Sequence, residues 1–213
     1  MTPEREQRIR EVSARRQLDV AVVLENVHDP HNIAAVVRTC DAVGIQTVYA
    51  LFTDPEINTN RLRLGKRTTA GARKWVDTFL YTDLNSCIRD VRKKYETLYA
   101  TTLGSGAKSI YQTDLTQPVA LVFGNERDGI SEELLGLTDG QMYVPQMGMV
   151  QSLNISVACA ITLYELLRQR TALNYYEENP TQTEADKQSL YEDWVSRHTT
   201  QYKGRSVKRI IDS

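Results

Sequence analysis

From Asp19 onward the chain alternates between short apolar runs and amphipathic stretches, and this rhythm constrains its fold more than any other feature. Ala21-Val22-Val23-Leu24 reads as a buried strand. Asp29-Pro30 then supplies an N-cap and a first helical residue, opening a helix that Gly44 ends. Ile33, Val36, Val37, Cys40 and Val43 form its apolar stripe at helical spacing. Further strands are predicted at 47–51, 75–80, 97–101, 119–123 and 142–144. Asp83 caps a helix running to Lys94, Ser131-Glu132-Glu133 opens a short helix with acids in its first turn, and a long helix spans 152–172. Strand and helix in alternation predict an α/β fold, a parallel sheet with helices on both faces. Such sheets bind ligands at the carboxyl ends of their strands, so those loops are where function is sought.

Three divisions follow: a basic N-terminal extension at 1–18, the α/β domain at 19–172, and a C-terminal extension at 173–213. The last is polar, acidic then basic, and is expected to be helical and to cover the domain or a partner. The chain has 213 residues, 41% hydrophobic and 25% charged, ordinary for a soluble globular protein. No apolar run is long enough to span a membrane, and the first residues lack the apolar core of a secretion signal. Cytoplasm is the expected location. Cys40, Cys87 and Cys159 are widely spaced within apolar or helical contexts and read as small core residues. His28 and His31 flank a proline with no cysteine or carboxylate cluster to complete a site, so no metal is expected.

The net charge of −1 gives no sign of a polyanion partner; the distribution does. Arg5, Arg8, Arg10, Arg15 and Arg16 crowd the N-terminus. Arg61, Arg63, Lys66, Arg67, Arg73 and Lys74 share a stretch without an acid. Arg168 and Arg170 close the long helix, and Lys203, Arg205, Lys208 and Arg209 load the tail. Each cluster alone reads as a solvated face. Four together point to a phosphate-binding surface of the kind that meets a nucleic acid, with Arg10, Lys66, Arg67, Arg168 and Arg170 as the candidate contacts.

Familiar nucleotide motifs are missing. The turn after the first strand, Asn26-Val27-His28-Asp29-Pro30, has no glycine, whereas a dinucleotide site needs glycines there for backbone amides to approach a pyrophosphate. Gly104-Ser105-Gly106-Ala107-Lys108-Ser109 fails as a phosphate loop because Ala107 separates glycine from lysine.

Polar residues and glycines concentrate in three segments beyond what the apolar surroundings explain. The first is 26–44, where Arg38 lies about 140° round the helix from Ile33, off the apolar stripe. The second is Phe123-Gly124-Asn125-Glu126-Arg127-Asp128-Gly129, in which Gly124 permits close backbone approach by a ligand and Gly129 a positive φ. The third is 144–158, where Ser152, Asn154 and Ser156 cluster at a helix start although capping needs only one of them.

In this order the segments resemble the three motifs of the SPOUT superfamily, and within it the TrmH family of tRNA guanosine-2'-O-methyltransferases. Leu24-Glu25-Asn26-Val27-His28-Asp29-Pro30-His31-Asn32, Phe123-Gly124 with Glu126, and Gly148-Met149-Val150-Gln151-Ser152-Leu153-Asn154 carry the likeness, which spans about residues 19–172. The resemblance implies a C-terminal trefoil knot, a homodimer, and S-adenosylmethionine bound among the loops at 101–104, 123–126 and 144–153. It assigns Thr101, Gly124, Val144, Met149 and Leu153 to the cofactor wall. Arg38, Asn32, Glu126, Ser152 and Asn154 are its catalytic set. A guanidinium stays charged at any ordinary pH. The resemblance implies a base role for Arg38, activated by an RNA phosphate; the alternative preferred on this ground is that Arg38 grips a phosphate and stabilises a developing alkoxide. Relatives that modify ribosomal RNA often carry an extra N-terminal RNA-binding domain, whereas only about eighteen residues precede the first strand here. That favours tRNA, with guanosine 18 of the D-loop as target. A ribosomal RNA 2'-O-methyltransferase and a non-catalytic RNA-binding dimer are the alternatives.

Overall fold

The computed structural model describes residues 1–55, 69, 71–200 and the backbone of 207–209. Among these, eight strands form one sheet: β1 (Gln17–Glu25), β2 (Ile45–Leu51), β3 (Asp77–Tyr81), β4 (Thr97–Thr101), β5 (Lys108–Ser109), β6 (Val119–Phe123), β7 (Gly140–Tyr143) and β8 (Val207–Arg209). Every pairing is parallel, in the order β5-β7-β4-β6-β1-β2-β3-β8. The helices are α1 (Pro3–Ala14), α2 (Pro30–Val43), α3 (Leu84–Arg92), α4 (Glu132–Leu135), α5 (Ile155–Ala172) and α6 (Glu184–Thr199).

The two-residue period of a strand sorts the core into two layers. Val20, Val22 and Leu24 of β1 face a cluster that includes Val36, Val37 and Cys40 of α2 and Cys159, Leu163 and Leu166 of α5. Ala21 and Val23 face the opposite layer, with Cys87, Ile88 and Val91 of α3 and Leu134 of α4. Both faces are covered, as buried parallel strands require. All three cysteines are free and buried, and burial pushes the Cys40 and Cys87 thiols up to about 12.

Local chemistry sets the helix ends. Asp29 caps α2, its carboxylate accepting from the His31 amide at 2.8 Å, and Gly44 ends the helix at φ 83°. Asp83 caps α3, and Ser131 caps α4. The final helix departs from the sequence expectation. It begins at Ile155 with Asn154 as N-cap, and Ser152 stays in the preceding loop. Ser152 and Asn154 are both competent caps, so residue type alone does not mark that boundary.

The flanks are also more integrated than their composition suggests. Helix α6 lies on α1, where Tyr191 donates to Glu6 at 2.8 Å and the Arg10 guanidinium sits 4.0 Å from the Tyr191 ring centre. Beyond α6 the tail adds β8 to the sheet beside β3, an element the sequence did not predict.

Candidate active site

Strands β6, β4 and β7 are neighbours, so the loops leaving their carboxyl ends meet at one edge. They enclose a cavity of about 330 Å3, within the usual range for small-molecule sites. Thr101, Gly124, Val144 and Leu153 line it, together with Glu126 and Ser152. Leu103, Phe123, Ile130 and Ile155 supply further apolar wall. Gln146 also lines it, and its Oε1 is buried without a donor among the described residues. Met149 is a correction to the expected wall: it is 99% exposed and outside the cavity lining.

The 124–130 turn is built by chain contacts. Asn125 and Gly129 form an antiparallel bridge, and the Asn125 side-chain oxygen accepts from the amides of Arg127 (2.8 Å) and Asp128 (2.7 Å). A Cβ on Gly124 would stand 2.0 Å from the Gly129 carbonyl carbon and oxygen. The close approach expected from a ligand is thus made by the turn's own backbone, and only glycine fits.

Glu25, at the end of β1, is 1% exposed. Its carboxylate accepts from the Ser131 amide (2.8 Å) and hydroxyl (2.6 Å), tying the far end of this turn to the adjacent strand. Thr101 donates from its hydroxyl to the Val122 carbonyl at 2.7 Å, joining β4 to β6. Asn26 adopts φ 51°, and its side-chain oxygen accepts from the Thr53 and Asp54 amides, fastening the loop after β1 to the loop after β2. Asparagine tolerates that left-handed backbone better than most residues. Sequence reasoning found Ser131 as a helix cap but missed Glu25 and the contact between the two, although Glu25 sits inside the first motif.

Three expected site residues form one hydrogen-bonded chain. Asn32 donates to Glu126 at 2.5 Å, and Asn154 donates to the Asn32 side-chain oxygen at 3.1 Å. The Asn154 oxygen in turn accepts from the Ser156 amide (2.8 Å) and hydroxyl (2.6 Å). Residues 32, 126 and 154 come from three separate segments, so this contact exists only in the folded chain.

Arg38 stands apart from that chain. It is exposed, forms no hydrogen bond or ion pair with a described residue, and does not line the cavity. Six residues beyond Asn32, it is about 9 Å along α2 and about 120° round it. Its guanidinium is free to meet an anion.

The expected RNA contacts divide. Arg10 is exposed against Tyr191, and Arg168 is exposed but paired with Glu165 at 2.7 Å. Arg170 is a correction: it is fully buried and donates to Asp19, Gln17 and the carbonyls of Leu115, Thr116 and Gln117. Arg16 is likewise buried, paired with Asp41. Lys66 and Arg67 lie outside the described residues.

A family model described as the SpoU rRNA Methylase family matches residues 19–164. The chain belongs to this family. It is 41% identical over 196 residues to a protein of Thermus thermophilus named tRNA (guanosine(18)-2'-O)-methyltransferase, covering 92% of this chain and 98% of that one. The crystal structure of the A. aeolicus TrmH/SpoU tRNA modifying enzyme is similar with a TM-score of 0.79 and 33% identity, over 92% of this chain and 97% of the other. An AdoMet-bound rRNA methyltransferase from Sinorhizobium meliloti is similar over 75% of this chain and 59% of its own, with a TM-score of 0.61 and 28% identity. The SpoU assignment accords with the parallel α/β sheet and with the position of the cavity at its carboxyl edge. Among the described residues no helix is long and apolar enough to cross a membrane, and no group of three metal-ligating side chains assembles.

Proposed function

We propose that the chain methylates the 2'-hydroxyl of guanosine 18 in the D-loop of tRNA, using S-adenosylmethionine held in the cavity between the loops after β4, β6 and β7. The observation that carries this is the Glu126–Asn32–Asn154 chain beside that cavity, in a protein so similar along its length to a tRNA (guanosine(18)-2'-O)-methyltransferase. The residues suit the cofactor. The apolar wall covers a nucleoside, and the unpaired Gln146 Oε1 offers an acceptor to an amino group.

When bound, the cofactor supplies an electrophilic methyl carbon on a sulfonium. The chain's own residues supply alignment and charge. Hydrogen bonding among Glu126, Asn32 and Asn154 fixes polar atoms from three segments, so the ribose meets a preorganised surface. Arg38 holds a substrate phosphate and stabilises negative charge developing on the 2'-oxygen. It does so without giving up its proton, because a guanidinium remains protonated.

The same reading includes a homodimer, the trefoil knot and a cytoplasmic location. Met147, Met149 and Val150 in the loop before α5, with Val157 and Tyr164 on the helix, are large exposed hydrophobics that a second copy would cover. Arg38 stands outside the cavity of its own chain, so in this reading each cavity takes its arginine from the second copy.

Transfer of labelled methyl to an unmodified tRNA transcript tests this, alongside Arg38→Ala and a transcript lacking the D-loop guanosine. Label is expected only with wild-type protein and intact guanosine, while Arg38→Ala retains cofactor binding. Undiminished transfer by Arg38→Ala with wild-type pH dependence would remove the role given to that residue. Label on ribosomal RNA alone would move the substrate.

A further inference from the structure

A second and larger cavity, of about 460 Å3, opens between α1, the carboxyl end of α2, and α6. Arg5, Arg8 and Arg15 stand in its wall with Trp75, Tyr176 and Trp194. Guanidinium groups beside aromatic faces make a surface for a nucleotide, with rings to stack a base and cations to meet its phosphate.

Three observations go beyond composition. Trp194 is 2% exposed, yet its indole Nε1–H finds no acceptor among the described residues. Buried donors are normally satisfied, so this one asks for an oxygen or nitrogen from outside. Second, the cavity is positive: the nearby carboxylates Asp41 and Glu177 are already paired with Arg16 and Arg15. Arg8 is exposed and forms no hydrogen bond or ion pair with a described residue, while the Arg5 guanidinium lies 5.4 Å from the Trp75 ring centre. Third, Ala42 in the wall is four residues past Arg38, so both lie on one face of α2, a turn apart.

We propose that this cavity is an RNA subsite that takes one nucleotide of the substrate beside the one that reacts. One side of the Trp75 ring packs on Trp194, 4.9 Å away, so the base takes the place over Trp75 that the Arg5 guanidinium now holds. An acceptor atom meets the Trp194 Nε1–H, and Arg5 turns with Arg8 onto the phosphate. The proposal rests on the reading that the chain acts on RNA. Arg38 and the subsite then grip adjacent stretches of one backbone, which holds the reacting ribose in register.

The chain has two tryptophans, and both line this cavity. Its intrinsic emission therefore reports on the subsite, while the cofactor cavity has no tryptophan in its wall. Unmodified tRNA titrated into the wild-type protein is expected to quench that emission, with the same midpoint as binding followed on labelled RNA. Trp75→Ala is expected to weaken tRNA binding about tenfold, as loss of one stacked base does. Arg8→Ala, an exposed change that leaves the fold alone, is expected to lower the salt dependence of binding by about one counterion. Cofactor affinity is expected to stay at the wild-type value in both. If the wild-type protein methylates tRNA but its emission does not respond and both variants bind normally, the subsite is wrong and the proposed function stands. If the wild-type protein neither binds nor methylates RNA, both fail. Emission that follows protein concentration rather than RNA would place a second copy in the cavity and overturn the proposal.

Discussion

Replacing Arg170 with methionine separates a structural arginine from an RNA-binding one. The side chain is fully buried. Its Nη1 donates to both Asp19 oxygens at 2.8 and 2.9 Å and to Gln17 at 3.0 Å. Its Nε and Nη2 satisfy the carbonyls of Leu115, Thr116 and Gln117 at 2.9–3.1 Å. In Arg170→Met the apolar stem is kept, but Asp19, 9% exposed, keeps the Asn179 side-chain amide at 3.2 Å in place of a cation. Breaking a buried pair from one side costs about 3–5 kcal/mol, because a charge is left uncompensated. For a chain of this size each kcal/mol lowers Tm by roughly 2–4 °C, so a fall of roughly 10 °C is expected by thermal denaturation. Adding Asp19→Asn removes the stranded charge and is expected to recover about 1–3 kcal/mol, which a double-mutant cycle reads directly. A Tm within about 2 °C of wild type, with tRNA affinity reduced, would refute the reasoning and return Arg170 to the RNA surface.

Two other changes test the site and the caps. Gly124→Ala puts a methyl 2.0 Å from the Gly129 backbone. The turn bearing Glu126 must shift, and cofactor affinity measured calorimetrically is expected to fall at least tenfold with the chain still folded. At the start of α3, the hydrogen bond from the Ser86 amide holds the Asp83 carboxyl below its ordinary value. A depressed carboxyl contributes stability that is present above its unfolded value and lost as pH falls through its folded one. Wild type should therefore lose stability below about pH 4 more steeply than Asp83→Asn, in Tm measured against pH.

The periodic parts of the fold were legible. The caps Asp29, Asp83 and Ser131 and the stop at Gly44 act through neighbours two to four residues away, so sequence spacing suffices to find them. The start of α5 lies three residues beyond its expected place, because Ser152 and Asn154 are both competent caps and only the chain's path selects Asn154. Arg168 and Arg170 show the harder failure. Two residues apart on one helix, they read as equal members of a basic cluster. Yet Arg168 is exposed on Glu165, and Arg170 is buried on Asp19, more than 150 positions away in sequence. Composition cannot distinguish a surface cation from one whose acceptors arrive by folding. Met149 fails for a related reason: a motif fixes which residues share a loop, not which way each side chain turns.

The sequence by itself determined the alternation of strand and helix, the capped boundaries, and the three motif segments that identify the family. Those signals are local, written in spacings of two to four residues or in contiguous motifs. Only the tertiary structure decided that Asn32, Glu126 and Asn154 touch, that Gly124 is demanded by Gly129, and that Trp75 and Trp194 close a basic cavity separate from the cofactor loops. Apart from the Gly124–Gly129 contact, which closes one turn, these pairings join residues from separate segments of the chain. Their geometry is set by the order β5-β7-β4-β6-β1-β2-β3-β8, and a local pattern carries no record of which distant segment will lie beside it.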